Sequence, residues 1–499
     1  MAAGDSAARR TASAAAWTAS LVLAGRHGAG AWQLAQTMSY LARRAPVPQP
    51  GQGLQPPVHV VVPVLREQDN VRPALDWWRE ILPLFPGMSL TLVSTAREDH
   101  DRDLLARAVC DGPLTSGRFP QLGEDELAML RSARQQGRLS AGAASAILAR
   151  VPRTRDVIDQ ALADLPGERI SHLTYPGLGR KAAQVNYAAR LVPAEGYLAV
   201  YDVDSRPSPQ ALAAVHACLT GMPPAVQLHA LFLAAACAGP PADRWLARGA
   251  GVLQSVWTLR REIPYARRHQ RFTGRPGALA AWRAGLSQPV GHGLYLRHDV
   301  HAAIGGFPED SVLDDVPAGV ALTLAGIPVV SVPVLTAVPA AETVAEIIAQ
   351  GRRWFWSYLD YPALLRDAAA RQAGTAVRRR LVGAVALYRG SAWLAASPVT
   401  LLAALAAVAP RSRPALRATA LAGLALGVVV PVAATARLRR EQRSPAGISW
   451  DCGAVLAAYL LRSAGPWLAV ADAARGRRPG TATPAPKANQ TPRLPGGPQ

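Results

Sequence analysis

The chain has 499 residues, 50% of them hydrophobic, enough for two or three domains with a large core and membrane segments besides. Lys and Arg total 54 against 34 Asp and Glu, a net +20. With only 6% aromatics, and no interleaving of basic and aromatic residues, this excess does not read as a nucleic-acid surface; arginines beside C-terminal apolar runs suit an anionic membrane. Cys110, Cys218, Cys237 and Cys452 are scattered without metal-ligand spacing, which excludes a zinc site or a disulfide framework.

Residues 1–57 are rich in Ala, Arg, Pro and Gly. The apolar stretch Ala12 to Gly25 follows Arg9 and Arg10 and is short for a span. A membrane-facing or loosely ordered helix is expected there rather than a cleaved signal, then a linker over Pro46 to Pro57. The folded core begins at Val58, where VHVVVP reads as a β-branched strand and the residues after it as a helix with one apolar face. A second strand is expected over Leu90 to Ser94, and the strand–helix–strand order implies a parallel sheet. From 101 to 166 the chain reads as a helical insertion over the sheet, with helix starts near Gly123-Glu124 and at Ser140.

A short strand, ISHLTYP, leads to GLGRKAAQVNYAA and then to YLAVYDVDSRPSP, Tyr197 to Pro209. This last stretch is an apolar strand ending in Asp202 and Asp204 and a Pro-punctuated turn. Residues two apart on an extended segment share a side, so both carboxylates are expected to face one ligand at the carboxyl end of a strand. Two hard oxygen donors there suit Mg²⁺ or Mn²⁺ holding a diphosphate, although surface turns also contain Asp-x-Asp. Farther on, Asp314-Asp315 reads either as a site or as a helix start. His292, between two glycines, reads as a phosphate contact or a loop histidine, and Trp354 and Trp356 as site residues or interfacial anchors.

After Tyr358 the composition shifts. Ala392–Ala409 and Ala418–Ala436 are 18 and 19 residues without a charge, each near spanning length. Arg411, Arg413 and Arg417 lie between them, and more arginines flank the pair, so both ends of this hairpin are expected on the cytoplasmic side. Leu381 to Tyr388 reads as an interfacial helix, and Ile448 to Ala474 as a third span or an interface-lying helix. The tail from Arg477 reads as disordered.

In order along the chain, VVPVLRE, GRKAAQVN, DVD, GHGLYLRHDVHAAIGGFPED, LDDVPAGVALTLAG and QGRRW resemble the motifs of membrane-associated family 2 glycosyltransferases, over roughly Val58 to Tyr358. The resemblance implies an α/β GT-A fold, a Rossmann-like mixed sheet, followed by C-terminal transmembrane or interfacial helices. It places Pro63, Glu67, Lys181, Asn186, Asp202, His292, Gly293, Gln350, Arg353 and Trp354 in donor or substrate binding. It makes Asp204 and Asp202 the metal ligands and Asp315 the catalytic base, with Asp314 beside it. Leu65 and Arg66 depart from the family pattern, and STARED stands where the family has Asp-Asp-Gly-Ser, with Glu98 or Asp99 as the acidic substitute.

The expected function is therefore an inverting, metal-dependent transferase. It would move a sugar from a nucleotide donor to a membrane-proximal lipid or glycan acceptor, with no nucleic-acid partner. The alternatives are a processive polysaccharide synthase, which QGRRW favours, and a catalytically degenerate membrane scaffold, which STARED favours. The expected organisation is an N-terminal segment (1–57), the catalytic domain (58–365), interfacial and transmembrane helices (366–476) and a tail (477–499). The whole would be a multi-pass cell-membrane protein with a cytoplasmic catalytic domain.

Overall fold

A computed structural model describes residues 2–43, 56–115, 118–119, 122–164, 169–233, 240–287, 289–439, 441 and 444–478. Helix α1 (Ala2–Ala42) precedes β1 (Val58–Pro63), α2 (Gln68–Ile81) and β2 (Met88–Thr95). Four helices follow, α3 (Arg97–Ala108), α4 (Glu124–Gln135), α5 (Ala141–Leu148) and α6 (Thr154–Ala163), then β3 (Ile170–Tyr175), α7 (Lys181–Ala189) and β4 (Tyr197–Val200). Next come α8 (Pro209–Leu219), β5 (Ala225–Leu233), α9 (Pro241–Trp257), a π-helical turn over Thr258–Glu262, α10 (Ile263–Phe272) and α11 (Ala278–Ala284). β6 (Leu294–Arg297), α12 (His298–Ala303), α13 (Asp315–Ala325) and β7 (Val329–Pro339) complete the α/β part. The C-terminal helices are α14 (Val344–Ala370), α15 (Ala376–Leu394), α16 (Ala396–Val408), α17 (Pro414–Leu438), α18 (Pro445–Leu461) and α19 (Ala464–Ala474).

The strands form one mixed sheet in the order β3-β2-β1-β4-β6-β5-β7, with β6 antiparallel to both of its neighbours and the other pairs parallel. Strand residues alternate between its two faces. Val58, Val60 and Val62 of β1 join a core with α2, α6 and α8, while Val61, with Leu198 and Val200 of β4, joins a second core with α7, α12 and α13. A sheet covered on both faces explains why its central strands are largely apolar. It also places α7 and α13, which carry Lys181 and Asp315 at their first positions, on the same face.

The insertion is helical, with starts where expected. Gly123 caps α4, and the Ser140 hydroxyl caps α5 by accepting from the Ala143 amide at 3.2 Å. Ala106, Val109, Leu127, Leu130 and Ala144 give α3–α5 a core of their own, whereas α6 turns back and puts Ile158 and Ala161 under the sheet.

The N-terminal stretch forms a single 41-residue helix, on the order of 60 Å long at 1.5 Å per residue. Trp17 packs with Leu416, Ala420 and Leu424, and Leu34 and Leu41 with Leu259, Ile263 and Leu438, so α1 runs parallel to α17. The Tyr40 hydroxyl donates to the Ser331 carbonyl of β7 at 2.6 Å, and Arg439 at the end of α17 donates to the Phe232 carbonyl of β5 at 2.6 Å. The α1–α16–α17 bundle thus stands on the sheet at one end, with Arg411 and Arg413 at the other.

Among the described residues, two helical segments are long and apolar enough to cross a membrane, Pro414–Leu438 and Pro445–Ala474, or three if the pair α15–α16, bent by 49°, counts as one. The expected span Ala392–Ala409 is interrupted. Helix α15 ends at Leu394 and α16 supplies 13 residues, about 20 Å, against a hydrocarbon core of about 30 Å. Both ends of Pro445–Ala474 are tied to the α/β part and its following helix, Asp451 to Arg248 of α9 and Asp472 to Arg352 of α14. The expected boundary at 365/366 falls inside α14. The linker over Pro46 to Pro57 lies outside the described residues up to 55, as do Cys237 and the tail beyond 478.

Candidate active site

Four chain segments meet at the carboxyl end of the central strands. β4 ends at Val200, and the Ser205 amide donates to the Asp202 carbonyl at 2.9 Å, closing a turn that carries both Asp202 and Asp204. The alternation of strand side chains predicts the pair on extended backbone, but the strand stops two residues before Asp202 and four before Asp204, and the pair sits on the turn instead. Lys181, opening α7, donates to Asp202 Oδ1 at 2.7 Å and to the Gly291 carbonyl at 2.5 Å, and its Nζ lies 3.5 Å from Asp314 Oδ2. The Gly291 amide donates to Asp315 Oδ2 at 3.2 Å, and Asp315 Oδ1 accepts from Val316 at 2.7 Å. A Cβ at 291 would stand 3.1 Å from Lys181 Nζ and 3.4 Å from Asp314, so a side chain there would push on both charged groups.

The charges shape one another. Burial would depress the Lys181 ammonium, but Asp202 and then Asp314 raise its pKa above the ordinary lysine value. Burial, and then the adjacent Asp314, raise Asp315 to about 7, with Lys181 opposing. Asp314 Oδ2 is buried and has no hydrogen-bond partner among the described residues. His292 is buried, with its Nε2 likewise unpartnered; burial pushes its pKa down, opposed first by Asp202.

Of the residues singled out in the sequence, the structure joins Lys181, Asp202, Asp314, Asp315 and the 291–293 loop. Asp204 stands on the same turn, and its charge, like that of Asp202, acts on His292. Gly293, at φ +65°, donates to the Val200 carbonyl at 2.7 Å and locks the loop onto β4. Pro63 ends β1, and Glu67 caps α2 and accepts from Asn70 at 2.7 Å. Asn186 is an anchor for the Gly-rich segment: it donates to the Phe307 carbonyl and accepts from the Phe307 amide, both at 2.8 Å.

STARED does not form a loop; it runs into α3. Glu98 is engaged by Gln68 at 3.0 Å, Arg102 at 3.0 Å and the Thr154 amide at 3.1 Å, and Asp99 pairs with Arg153 and Arg155. These acidic residues hold the start of α6. On α14, Gln350 accepts from Gln254 of α9, Arg353 is exposed and Trp354 half-buried. No hydrogen bond or ion pair joins these three to the Lys181 cluster among the described residues.

Three positioning residues escaped the sequence reading. Buried Gln227 of β5 donates to the His292 carbonyl at 2.8 Å and accepts from the Val290 amide at 3.0 Å, gripping the loop from both sides. Gln184 of α7 donates to the carbonyls of Val64 at 3.0 Å and Val93 at 2.5 Å, tying the ends of β1 and β2 together. Asp360 of α14 accepts from the Ser311 hydroxyl at 3.1 Å, fixing the approach to Asp314. The signal was there for Gln227, a lone amide inside an apolar strand.

Among the described residues, no three His, Cys, Asp or Glu side chains cluster as a metal cage. A hard divalent cation that keeps waters and shares a diphosphate needs only one or two protein carboxylates. Asp204, with Asp202 beside it, fits that requirement and does not fit a closed protein site.

The family model described as "Glycosyl transferase family group 2" matches residues 244–435. The matched segment includes the 291–293 loop, Asp314-Asp315 and QGRRW, while Lys181, Asp202 and Asp204 lie ahead of it. With the mixed seven-stranded sheet and the apolar C-terminal helices, the fold is of the GT-A type. Among solved structures, the chain is similar to a mannosyltransferase from Pyrobaculum calidifontis in complex with GDP-Man and Mn²⁺, at 15% identity and a TM-score of 0.44, covering 93% of this chain and 100% of that one. It is also similar to S. aureus TarS 1-349 in complex with UDP-GlcNAc, at 10% identity and a TM-score of 0.31, covering 84% and 92%. No curated protein matches.

Proposed function

We propose that the protein transfers a sugar from a nucleotide-diphosphate donor to a membrane-proximal lipid or glycan acceptor, with inversion at the anomeric carbon. The observation that carries this reading is the meeting of Lys181, Asp202, Asp314 and Asp315 around the Gly291 backbone. Asp204 and Asp202 would hold Mg²⁺ or Mn²⁺, which when bound supplies positive charge for the departing diphosphate. Lys181 adds a fixed cation on the same side. Asp315 is the base that takes the proton of the acceptor hydroxyl, and a carboxylate raised to about 7 is matched to that task near neutral pH. One base and no enzyme-bound sugar give a single displacement, hence inversion.

A degenerate scaffold is disfavoured. Three carboxylates and a lysine gathered around one loop, with the Asp315 carboxyl raised to about 7, are the arrangement of a reacting site and serve no purpose in a protein that only holds others. In this reading the bundle and the interfacial helices hold the catalytic domain against the membrane on the cytoplasmic side, which the arginines flanking the apolar runs support. The test is a screen of sugar nucleotides for metal-dependent release of nucleoside diphosphate by the full-length protein. Asp204→Asn should abolish the chelator-sensitive release without lowering the unfolding temperature; full activity in that variant removes the metal assignment.

A further inference from the structure

Glu262 is a buried carboxylate that the proposed reaction does not use. It closes the π-helical turn Thr258–Glu262 between α9 and α10, and the sequence gives a reason for that turn. Within it the Ile263 amide donates to the Thr258 carbonyl, five residues back. The same step would pair the Leu259 carbonyl with residue 264, which is a proline and has no N–H to give. Thr37, fully buried on α1, supplies the missing donor: its hydroxyl reaches the Leu259 carbonyl at 2.7 Å. A buried carbonyl must find a partner, so the turn is tied to the N-terminal helix.

The turn then sends its charged side chains two ways. Arg260 goes to the bundle and donates to the Leu426 carbonyl of α17 at 3.0 Å. Glu262 goes to the sheet, where its Oε2 lies 3.4 Å from Nδ1 of buried His229 on β5. An extra residue in a helix rotates all that follows by about 100°, so the turn decides which of these side chains faces β5. His229 is two residues beyond Gln227, which grips the 291–293 loop from the same strand. β5 and β6 pair with Gln227 opposite Leu294, and the Leu228 amide donates to the Gly293 carbonyl at 2.8 Å. The next step along β5 brings His229 alongside His292. The charge of Glu262 acts on His292, opposing the effect of burial there. Both histidines have an Nε2 that is buried and without a hydrogen-bond partner among the described residues.

We infer that Glu262 is a positioning residue for the 291–293 loop, aimed through His229 by the π-helical turn that Thr37 of α1 holds. The N-terminal helix would thereby fix the Gly291 backbone on which Lys181 and Asp315 both depend. The consequence for catalysis rests on the transferase reading above; the coupling of α1 to the loop does not. The full-length protein in neutral maltoside detergent is followed by hydrogen–deuterium exchange, with peptides covering 291–296 compared against those covering 58–63 of β1. Thr37→Val, which removes the hydroxyl at nearly constant shape, and Glu262→Ala should each speed exchange over 291–296 at least about tenfold and leave β1 as in the wild type. Thr37→Ser keeps the donor and should restore wild-type protection. With the sugar nucleotide that the donor screen identifies, Thr37→Val and Glu262→Ala should lower kcat at least about tenfold with the donor KM changed less than about twofold. Unchanged exchange over 291–296, equally faster exchange in β1, or faster loop exchange at full kcat each overturns the inference. If Glu262→Ala fails to fold, the Thr37→Val and Thr37→Ser comparison decides. A wild type that releases no nucleoside diphosphate from any donor sinks the transferase reading, and exchange then decides the coupling alone.

Discussion

Asp314 and Asp315 are neighbours whose surroundings part their roles. Asp315 is held by the amides of Gly291 and Val316, while Asp314 faces Lys181 at 3.5 Å. In the proposed reaction Asp315→Asn should bind nucleoside diphosphate like the wild type and transfer sugar at least about a hundredfold more slowly, in single-turnover assays. Asp314→Asn should be milder; if it proves the dead variant and Asp315→Asn the mild one, the roles are exchanged. The pH profile separates them further. Because the Asp315 pKa is raised to about 7, the ionised base fills in as pH rises through 7, so kcat/KM should climb across an acidic limb there. Asp314 is a cause of that elevation, so Asp314→Asn should move the limb to lower pH. The linkage to stability has the opposite sign. The folded protein holds this proton longer than the unfolded chain, so the contribution is full below about pH 4 and is lost as pH rises to about 7. A limb that stays in place in Asp314→Asn would contradict the pairing.

Among the elements, α14 does more than bear QGRRW. Its Asp360 accepts from Ser311 Oγ at 3.1 Å and from the Val312 amide at 3.4 Å, and Arg478 reaches the same carboxylate at 3.0 Å. The helix thereby sets where α13 begins, and with it both acidic residues. Asp360→Ala leaves these donors without their buried acceptor. We expect a loss of about 1–3 kcal/mol in unfolding free energy, and a fall in kcat with little change in the donor KM. A change confined to donor KM would place Asp360 in binding instead. Gln227 does the same work for the 291–293 loop from β5. Both are polar residues whose meaning depends on what a distant segment lays against them.

For the whole molecule, α1, α16 and α17 form one bundle with its base on the sheet and Arg411 and Arg413 at its far tip. If that bundle enters the membrane from the cytoplasm, a cysteine at Ser412 should react with an impermeant thiol reagent in intact cells, and one at Ser205 should not. The reverse labelling would place the catalytic domain outside. α18 and α19 are apolar enough to span, yet the Asp451–Arg248 and Asp472–Arg352 pairs tie both of their ends to the catalytic domain. That favours a segment lying along the domain over a further crossing.

What the sequence determined by itself is local. A β-branched run marked β1, Ser140 marked the start of α5 and the charge-free run after Arg417 marked α17, because strand propensity, capping and hydropathy are properties of neighbours in the chain. The carboxylates and Lys181 were legible from residue type and order. Their arrangement was not: the turn at Asp202 depends on where β4 stops, and Lys181 meets Asp314 because α7 and α13 pack on one face of the sheet. Glu98 stood in a promising place, but α6 takes up its carboxylate from 56 residues away.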